Sequence, residues 1–507
     1  MTKKQITVTV ISLIIVAVVI SSFFANSFVE KKAISLLQKE LPELQFDDLN
    51  INIFQNQANL SRISIRKGNV DLKSNEINVT GLDYWKFLIS GDVEISSIAI
   101  LDPEVIYFSK SKSAESSKKS KGSDDKSKDF KKEITVNSFN IKKGSFKILD
   151  SIQERTLLIN TFDFELNEIF LCSATIANKI PFKYGGFNLK LDSVKLNVDK
   201  RHQLNVAAIS VTNNKSFLES IHLSSKYSRE EFQRHTDIEK DMYDLKIDSL
   251  AFQNTDYGFR NDSLKVLVDR ALVKNADFQI YRDKTLPDDT SVKPMYSEML
   301  RKMSFLLKLD TLQISNSRIA YEERMKADRK PGKVIFANLN ATIVNLTNFT
   351  EKKEFPSTSI SANADFMNEA PINLNWGFKV NNLSDYFNVS GSMGTLSARS
   401  INGFLEPGMN VKAEGAITSM RYDFFGNRNK ATGGVNIAYK DFKIEVLKND
   451  GTEKSGFLTS IANIFVNHNG ESGKNANKGL EIERDKTKSF WNYLWSCIRK
   501  GALKTFV

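Results

Sequence analysis

Val136–Ile148 reads V-N-S-F-N-I-K-K-G-S-F-K-I. Residues two apart on an extended chain share a face, so Phe139 and Ile141 make one apolar pair and Phe146 and Ile148 a second. Lys142-Lys143-Gly144 between them has turn character, because Gly144 can take a positive φ without strain. The stretch therefore predicts a β-hairpin with one apolar face.

The same pattern recurs on both sides. Leu60–Leu72 reads L-S-R-I-S-I-R-K-G-N-V-D-L, Ile95–Tyr107 reads I-S-S-I-A-I-L-D-P-E-V-I-Y, Ile247–Phe259 reads I-D-S-L-A-F-Q-N-T-D-Y-G-F and Leu309–Tyr321 reads L-D-T-L-Q-I-S-N-S-R-I-A-Y; a looser copy runs from Val268 to Ile280. Ile95 and Val136 are 41 residues apart, as are Val268 and Leu309, while the other spacings differ. The unit is thus a recurring module and not a strict solenoid repeat. Its apolar positions give the candidates for a shared working surface: Ile63, Ile65, Ile98, Ile100, Phe139, Ile141, Phe146, Ile148, Leu250, Phe252, Tyr257, Phe259, Leu312, Ile314, Ile319 and Tyr321.

The 507 residues exceed one ordinary core, which sets an expectation of roughly two to four domains or one elongated architecture. Apolar residues are 41% of the chain and charged ones 26%, enough to fold most of it. The net charge of +11 is scattered. No nucleic-acid signature accompanies it, so nucleic acid is not an expected partner, whereas anionic lipid headgroups suit dispersed positive charge equally well. Cys172 and Cys497 are the only cysteines, with neither a disulfide framework nor zinc spacing.

Gln5–Val29 has no charged side chain and is long enough to cross a bilayer of about 30 Å as a helix. Lys3 and Lys4 before it favour a cytoplasmic N-terminus. A cleaved signal peptide is the rival reading; the apolar run exceeds a usual signal core, which favours an uncleaved anchor. The expected organisation is a tip and anchor over 1–28, a helix and the first part of a β-groove over 29–108, and a disordered Ser/Lys loop over 109–133. A middle β region follows over 134–330, then a C-terminal β region over 331–485 and a basic amphipathic helix over 486–507. Short helices are expected at Phe28–Leu41 (ended by Pro42), Gly81–Leu88, Lys226–Asp241, Ser291–Leu307, Leu396–Leu405 and Phe457–Val466. In the last segment Trp491, Leu494, Trp495 and Ile498 share a helical side flanked by Lys and Arg. Such a helix suits an interfacial membrane contact, and the same side suits a plug over the end of a sheet.

Catalytic chemistry is not visible. His202, His222, His235 and His468 form no HExxH or two-His spacing, and no GxSxG elbow, Walker A loop or GxGxxG after a strand occurs. No catalytic residue, metal ligand or cofactor is expected, and the chain is not expected to be an enzyme.

One run of features has a family likeness: an N-terminal anchor, a short helix, strands, Gly81-Leu-Asp-Tyr-Trp-Lys-Phe-Leu-Ile-Ser-Gly91, the Ile95–Tyr107 module, a Ser/Lys loop and the Val136–Ile148 module. This order resembles the AsmA-like bacterial envelope proteins, as do the Leu309–Tyr321 module and the Gly-rich C-terminal strands. The resemblance covers most of the chain as an architecture and carries over no site residue. It implies a single-pass inner-membrane protein with its bulk in the periplasm, mainly β. An elongated antiparallel sheet would be curled into an open groove, related in architecture to chorein-type bridges, that passes phospholipids between inner and outer membrane. Acyl chains would lie on the apolar face, gaining about 0.8 kcal/mol per CH₂ kept from water. A scaffold or assembly factor for outer-membrane proteins is the alternative. The pattern by itself also fits a closed sandwich that buries the same face.

Overall fold

The computed structural model describes residues 27–109, 132–150, 154–260, 263–447, 469–471 and 479–506, apart from 28, 36, 40, 84–85, 87–88 and 177. The expected anchor, the bulk of the Ser/Lys loop and the Phe457–Val466 helix lie outside the described residues. Among the described residues, no helix is long and apolar enough to cross a membrane. Residues 1–197 with 206–213 form one compact unit, and 198–205 with 214–507 a second.

Unit 1 is mainly β. Alternating Ile, Val, Leu and Phe produce β3 (Gln57–Lys67), β4 (Val70–Leu82), β5 (Val93–Leu101), β6 (Glu104–Phe108), β7 (Ile134–Leu149), β8 (Arg155–Leu171) and β9 (Gly186–Asn197). The short β1 (Leu44–Gln45) and β2 (Asp48–Asn52) pair with β3. Of the module copies, Leu60–Leu72 is a hairpin, turning at Gly68 with φ +60°. Val136–Ile148 is not. It lies within β7, which runs unbroken past Gly144. Ile95–Tyr107 is likewise one extended line, because β5 and β6 pair end to end with both β4 and β7.

The expected turn is a mid-strand bulge. At the eighth position of the module the backbone is left-handed: φ is +50° at Asp102 and +52° at Lys143 in unit 1, and +51° at Asn254, +53° at Asn275 and +50° at Asn316 in unit 2. Turns and bulges both recruit residues that tolerate this region, Asn and Asp above all, so composition does not separate them. The bulge also settles a problem of phase. Ile141 and Phe146 are five apart and would face opposite ways on a regular strand. Phe139 packs edge-on against Phe164, 6.4 Å between ring centres, and Phe162 lies two residues from Phe164 on the same side. Gly144 pairs with Phe162, whose ring would sit 2.5 Å from a Cβ at that position. The extra residue therefore returns Gly144, Phe146 and Ile148 to the face of Phe139 and Ile141, and only glycine fits beneath the Phe162 ring.

The spacing of 41 has a direct structural meaning. β5 and β6 pair with β7 in parallel, Ile98 beside Phe139. In unit 2, β13 (Ser263–Asp283) pairs in parallel with β14 (Leu306–Arg324), Val268 beside Leu309. The sheets are mixed, which corrects the antiparallel expectation. A parallel neighbour needs a crossover, and residues 284–305 supply one between β13 and β14.

Unit 2 continues the pattern. β10 (His202–Thr212), divided between the two units, is followed by β11 (Lys215–Ser225) and β12 (Asp241–Arg260), which precede β13. After β14 come β15 (Gly332–Thr347), β16 (Thr358–Phe366), β17 (Ala370–Phe378), β18 (Phe387–Met393), β20 (Val411–Gly426) and β21 (Lys430–Val446), all antiparallel neighbours. The two-residue β19 (Leu396–Ser397) pairs with β20, and β22 (Asn469–Glu471) and β23 (Leu480–Glu483) pair with β21. Two of the expected helices shrink and one extends. α1 (Ser173–Ile176) is a single turn of unit 1. Of Lys226–Asp241 only α2 (Arg229–Arg234) is helical, started by a Ser228–Glu231 capping box. Of Ser291–Leu307 only α3 (Tyr296–Arg301) is helical. α4 (Ala398–Met409) outruns its expected end and stops at Asn410, φ +57°. α5 (Phe490–Phe506) is the C-terminal helix.

Asparagine side chains stitch the bulges together. The Asn275 amide donates to Asp248 at 2.7 Å, the Asn316 amide to Asn275 Oδ1 at 2.8 Å, and Asn340 Oδ1 accepts from the Asn316 backbone N–H at 3.0 Å. Asn316→Val places a β-branched residue in the left-handed region and deletes the side-chain bond. It should destabilise unit 2 by about 2–3 kcal/mol in urea unfolding. Asn316→Gly, which keeps the backbone, should lose about 1 kcal/mol.

Candidate functional site

Cross-strand partners lie on one side of a sheet, so pairing register converts alternating sequences into rows. In unit 1 one row runs Leu60–Ile77–Ile100–Ile141–Phe164–Leu189 and the next Ala58–Val79–Ile98–Phe139–Leu166–Phe187. Beyond the bulge the rows are Ile65–Leu72–Val105–Phe146–Ile159–Val194 and Val70–Tyr107–Ile148–Leu157–Leu196. Each sequence candidate of unit 1 falls in one of these rows, except Ile63, which pairs with Ser74 and is 2% exposed. Ile65, Ile98, Ile100, Phe139, Ile141, Phe146 and Ile148 are half-buried.

Unit 2 carries its own rows. One reads Leu218–Leu250–Val273–Ile314–Ala341–Ala362–Leu374, and the next Phe252–Ala271–Leu312–Ile343–Ile360–Trp376–Val389–Phe424. Across a bulge lie Leu245–Phe278–Ile319–Phe336–Phe366 and Tyr243–Ile280–Tyr321–Val334. Val268 and Ala271 are three apart yet pack in one cluster with Leu309, Leu312 and Phe252, which places the Asn254 level as a second phase reset. Leu250, Phe252, Leu312, Ile314, Ile319 and Tyr321 are half-buried, and Tyr257 and Phe259 are exposed at 36% and 44%.

One rim of this face is charged. Arg282 clamps Asp241 with bonds of 2.6 and 2.7 Å and pairs in register with Glu323. The Tyr321 hydroxyl donates to Glu323 at 2.6 Å; burial, helped by that carboxylate, pushes its phenol well above the usual range. Glu239, 1% exposed in its side chain, sits among Arg282, Lys284 and Lys488. No protein-family model and no curated protein matches this chain. The surface has to be read from its own chemistry.

From β17 onward the apolar face is covered. α5 buries Phe490, Tyr493, Leu494 and Cys497 against Trp376, Val389, Phe424, Val435 and Ile437, with Ile498 packed alongside. Of the expected membrane-contact residues, Leu494 and Ile498 thus face the sheet, while Trp491 and Trp495 stay 48% and 40% exposed. The helix covers the end of a sheet, the second of the two sequence readings for that side. Phe490 and Tyr493 escaped the sequence reading because their partner, the Trp376 and Phe387 pair, lies more than a hundred residues away. α4 closes the neighbouring part with Leu405 against Ala413 and Phe442.

The three described histidines make structural contacts. His202 Nε2 accepts from the Tyr243 N–H at 3.2 Å and Nδ1 faces Asp199 at 3.2 Å. His222 pairs with Asp244, and His235 stacks on Tyr227 at 3.9 Å; His468 lies outside the described residues. Among the described residues, no cluster of three potential metal ligands occurs.

Proposed function

We propose that the protein is a non-enzymatic conduit that shelters phospholipid acyl chains on its apolar sheet faces and passes lipid between the membranes of a bacterial envelope. The observation that carries this reading is the set of registered apolar rows whose large side chains stop at half-burial. A folded core would bury Phe139, Phe146, Phe252 and Leu312 completely. Leaving such a surface in water is costly unless something apolar visits it. A chain of methylenes needs only a continuous apolar path, which rows of this kind provide without any one residue being indispensable. The charged rim of Asp241, Arg282 and Glu323, whose side chains are 20%, 24% and 19% exposed, offers partly exposed partners for headgroups. An N-terminal anchor in the inner membrane and a curled, open groove, as in the AsmA-like proteins, complete the reading.

Native mass spectrometry on the full chain released from membranes tests it. Co-purifying phospholipid, together with protein-dependent transfer of labelled lipid between vesicles, is the expected result. A lipid-free protein that moves no lipid would sink the proposal.

A further inference from the structure

The longest apolar row of unit 2 changes character along its length. Phe252, Leu312, Ile343 and Ile360 are half-buried, whereas Trp376, Val389 and Phe424 are 6%, 0% and 0% exposed. The register is continuous across that change. What differs is α5, lying on the same face. Phe490 stacks on the Trp376 indole with centroids 4.4 Å apart and planes 10° from parallel, and it meets Phe387 edge-on at 5.1 Å. Gly501 lets the helix approach Val435 more closely than any Cβ would permit.

This contact is tight in shape but incomplete in polarity. The Trp376 indole N–H and the Tyr493 hydroxyl are buried within it and have no hydrogen-bond partner from the protein. Unpaired buried donors are costly and uncommon in a settled core. Polar ties hold the helix at its root and again farther along. Lys488 reaches Asp288 at 3.0 Å and Glu239 at 3.3 Å, Arg484 donates to the Lys293 carbonyl at 2.6 Å, and the Trp491 indole donates to the Tyr296 hydroxyl at 2.9 Å. Farther along, Lys500 donates to the Glu481 carbonyl at 2.8 Å. Charged side chains tie the root to neighbouring loops, and the far half carries the Lys500 tie to a backbone carbonyl, so a helix over an apolar floor has the makings of a cover hinged at its root.

We propose that α5 is a displaceable lid whose buried side occupies the place of a phospholipid acyl chain, and that lipid arriving along the open rows of β12–β16 lifts it from Trp376, Val389 and Phe424. This rests on the conduit reading above. The floor is apolar and aromatic throughout, as an acyl chain requires. Lifting α5 returns the Tyr493 hydroxyl to water and frees the Trp376 N–H for a lipid ester carbonyl. Trp495 and the half of Trp491 not packed on Tyr296 and Trp376 are already exposed, which suits the membrane interface once the helix swings away.

Cys497 is a built-in reporter, since it is 1% exposed beneath the closed lid and burial pushes its thiol up to about 12. The test uses full-length Cys172→Ser protein held in amphipol. Thiol labelling of Cys497 is timed with and without phosphatidylethanolamine–phosphatidylglycerol vesicles carrying a photoreactive acyl chain. Labelling should accelerate at least tenfold with vesicles, with lipid adducts on β17 or β18. Tyr493→Phe, which removes the unpaired hydroxyl and keeps the ring, should slow labelling several-fold in both conditions. Adducts confined to β12–β16 with unchanged Cys497 labelling would overturn the lid and leave the conduit standing. Absence of any adduct with unchanged labelling would overturn both. Labelling of Tyr493→Phe as fast as the parent would remove the hydroxyl from the mechanism and overturn the lid as argued.

Discussion

Phe146→Asp should cut lipid transfer by an order of magnitude or more while leaving the far-ultraviolet circular dichroism unchanged. Phe146 stands in the row Leu72–Val105–Phe146–Ile159–Val194, at the level where the bulge has just restored the apolar phase. An acyl chain lying across that row would strip water from the new carboxylate, at a cost of several kcal/mol. About 1.4 kcal/mol already amounts to a factor of ten. The fold should tolerate the change, because Phe146 is only half-buried and loses roughly 1–2 kcal/mol of burial. Lys147 is the control. It points to the other side, where it pairs with Glu104 at 2.7 Å, and exposed ion pairs of this kind contribute little. Lys147→Ser should transfer lipid at the parental rate. Equal losses in the two variants, or normal transfer by Phe146→Asp, would remove the apolar rows from the mechanism.

The largest expected loss of stability follows from Asp385→Ala. Asp385 is 0% exposed and has φ +55° in the loop between β17 and β18. Its Oδ1 accepts from the Ser297 hydroxyl and from Arg301, both at 2.8 Å, and its Oδ2 accepts from Arg428. One carboxylate thus joins α3, its own loop and the β20–β21 turn. Arg301 and Arg428 also donate to carbonyls of residues 380–383. Removing the acid leaves two guanidinium groups, 22% and 39% exposed, without their counter-charge. Loss of one partner from a buried pair costs about 3–5 kcal/mol. Three of the four tryptophans, Trp376, Trp491 and Trp495, belong to unit 2, so tryptophan fluorescence of a Trp85→Phe background during urea unfolding reads this unit. Asp385→Asn, which keeps an acceptor and loses the charge, should fall between. A midpoint for Asp385→Ala within error of the parent would show that the cluster does not hold the unit together.

Much of this fold was legible because a period of two is a strong signal and the module repeats it. Ile98, Ile100, Phe139, Ile141, Leu312 and Ile314 all lie in the rows that alternation predicts. The module's eighth residue does not distinguish the two, since a left-handed Lys143 or Asn316 serves a turn and a bulge equally well. Only the partner strands decide which, and here those partners run past the site on both sides. The recurring interval of 41 reflects the parallel pairings, and only the register of the partner strands gives it that meaning. The side of α5 that is buried was off by about one residue in phase. Helical periodicity locates an apolar side, and the stacking partner Trp376 sets its centre on Phe490, Tyr493 and Cys497.

The bulges also give each long strand something like a reading frame. Asn316 is an extra residue between two in-phase tracts, Leu312–Ile314 and Ile319–Tyr321. Replacing it disturbs one backbone position; deleting it inverts everything downstream, turning Ile319 and Tyr321 to the far side and Arg318 and Ala320 inward. A single-residue deletion there should therefore behave as a frameshift in the sheet, and a second single-residue change in the same strand could restore it. Strands of this design can lengthen over evolution only in steps that keep the phase, so their width is quantised in modules instead of residues.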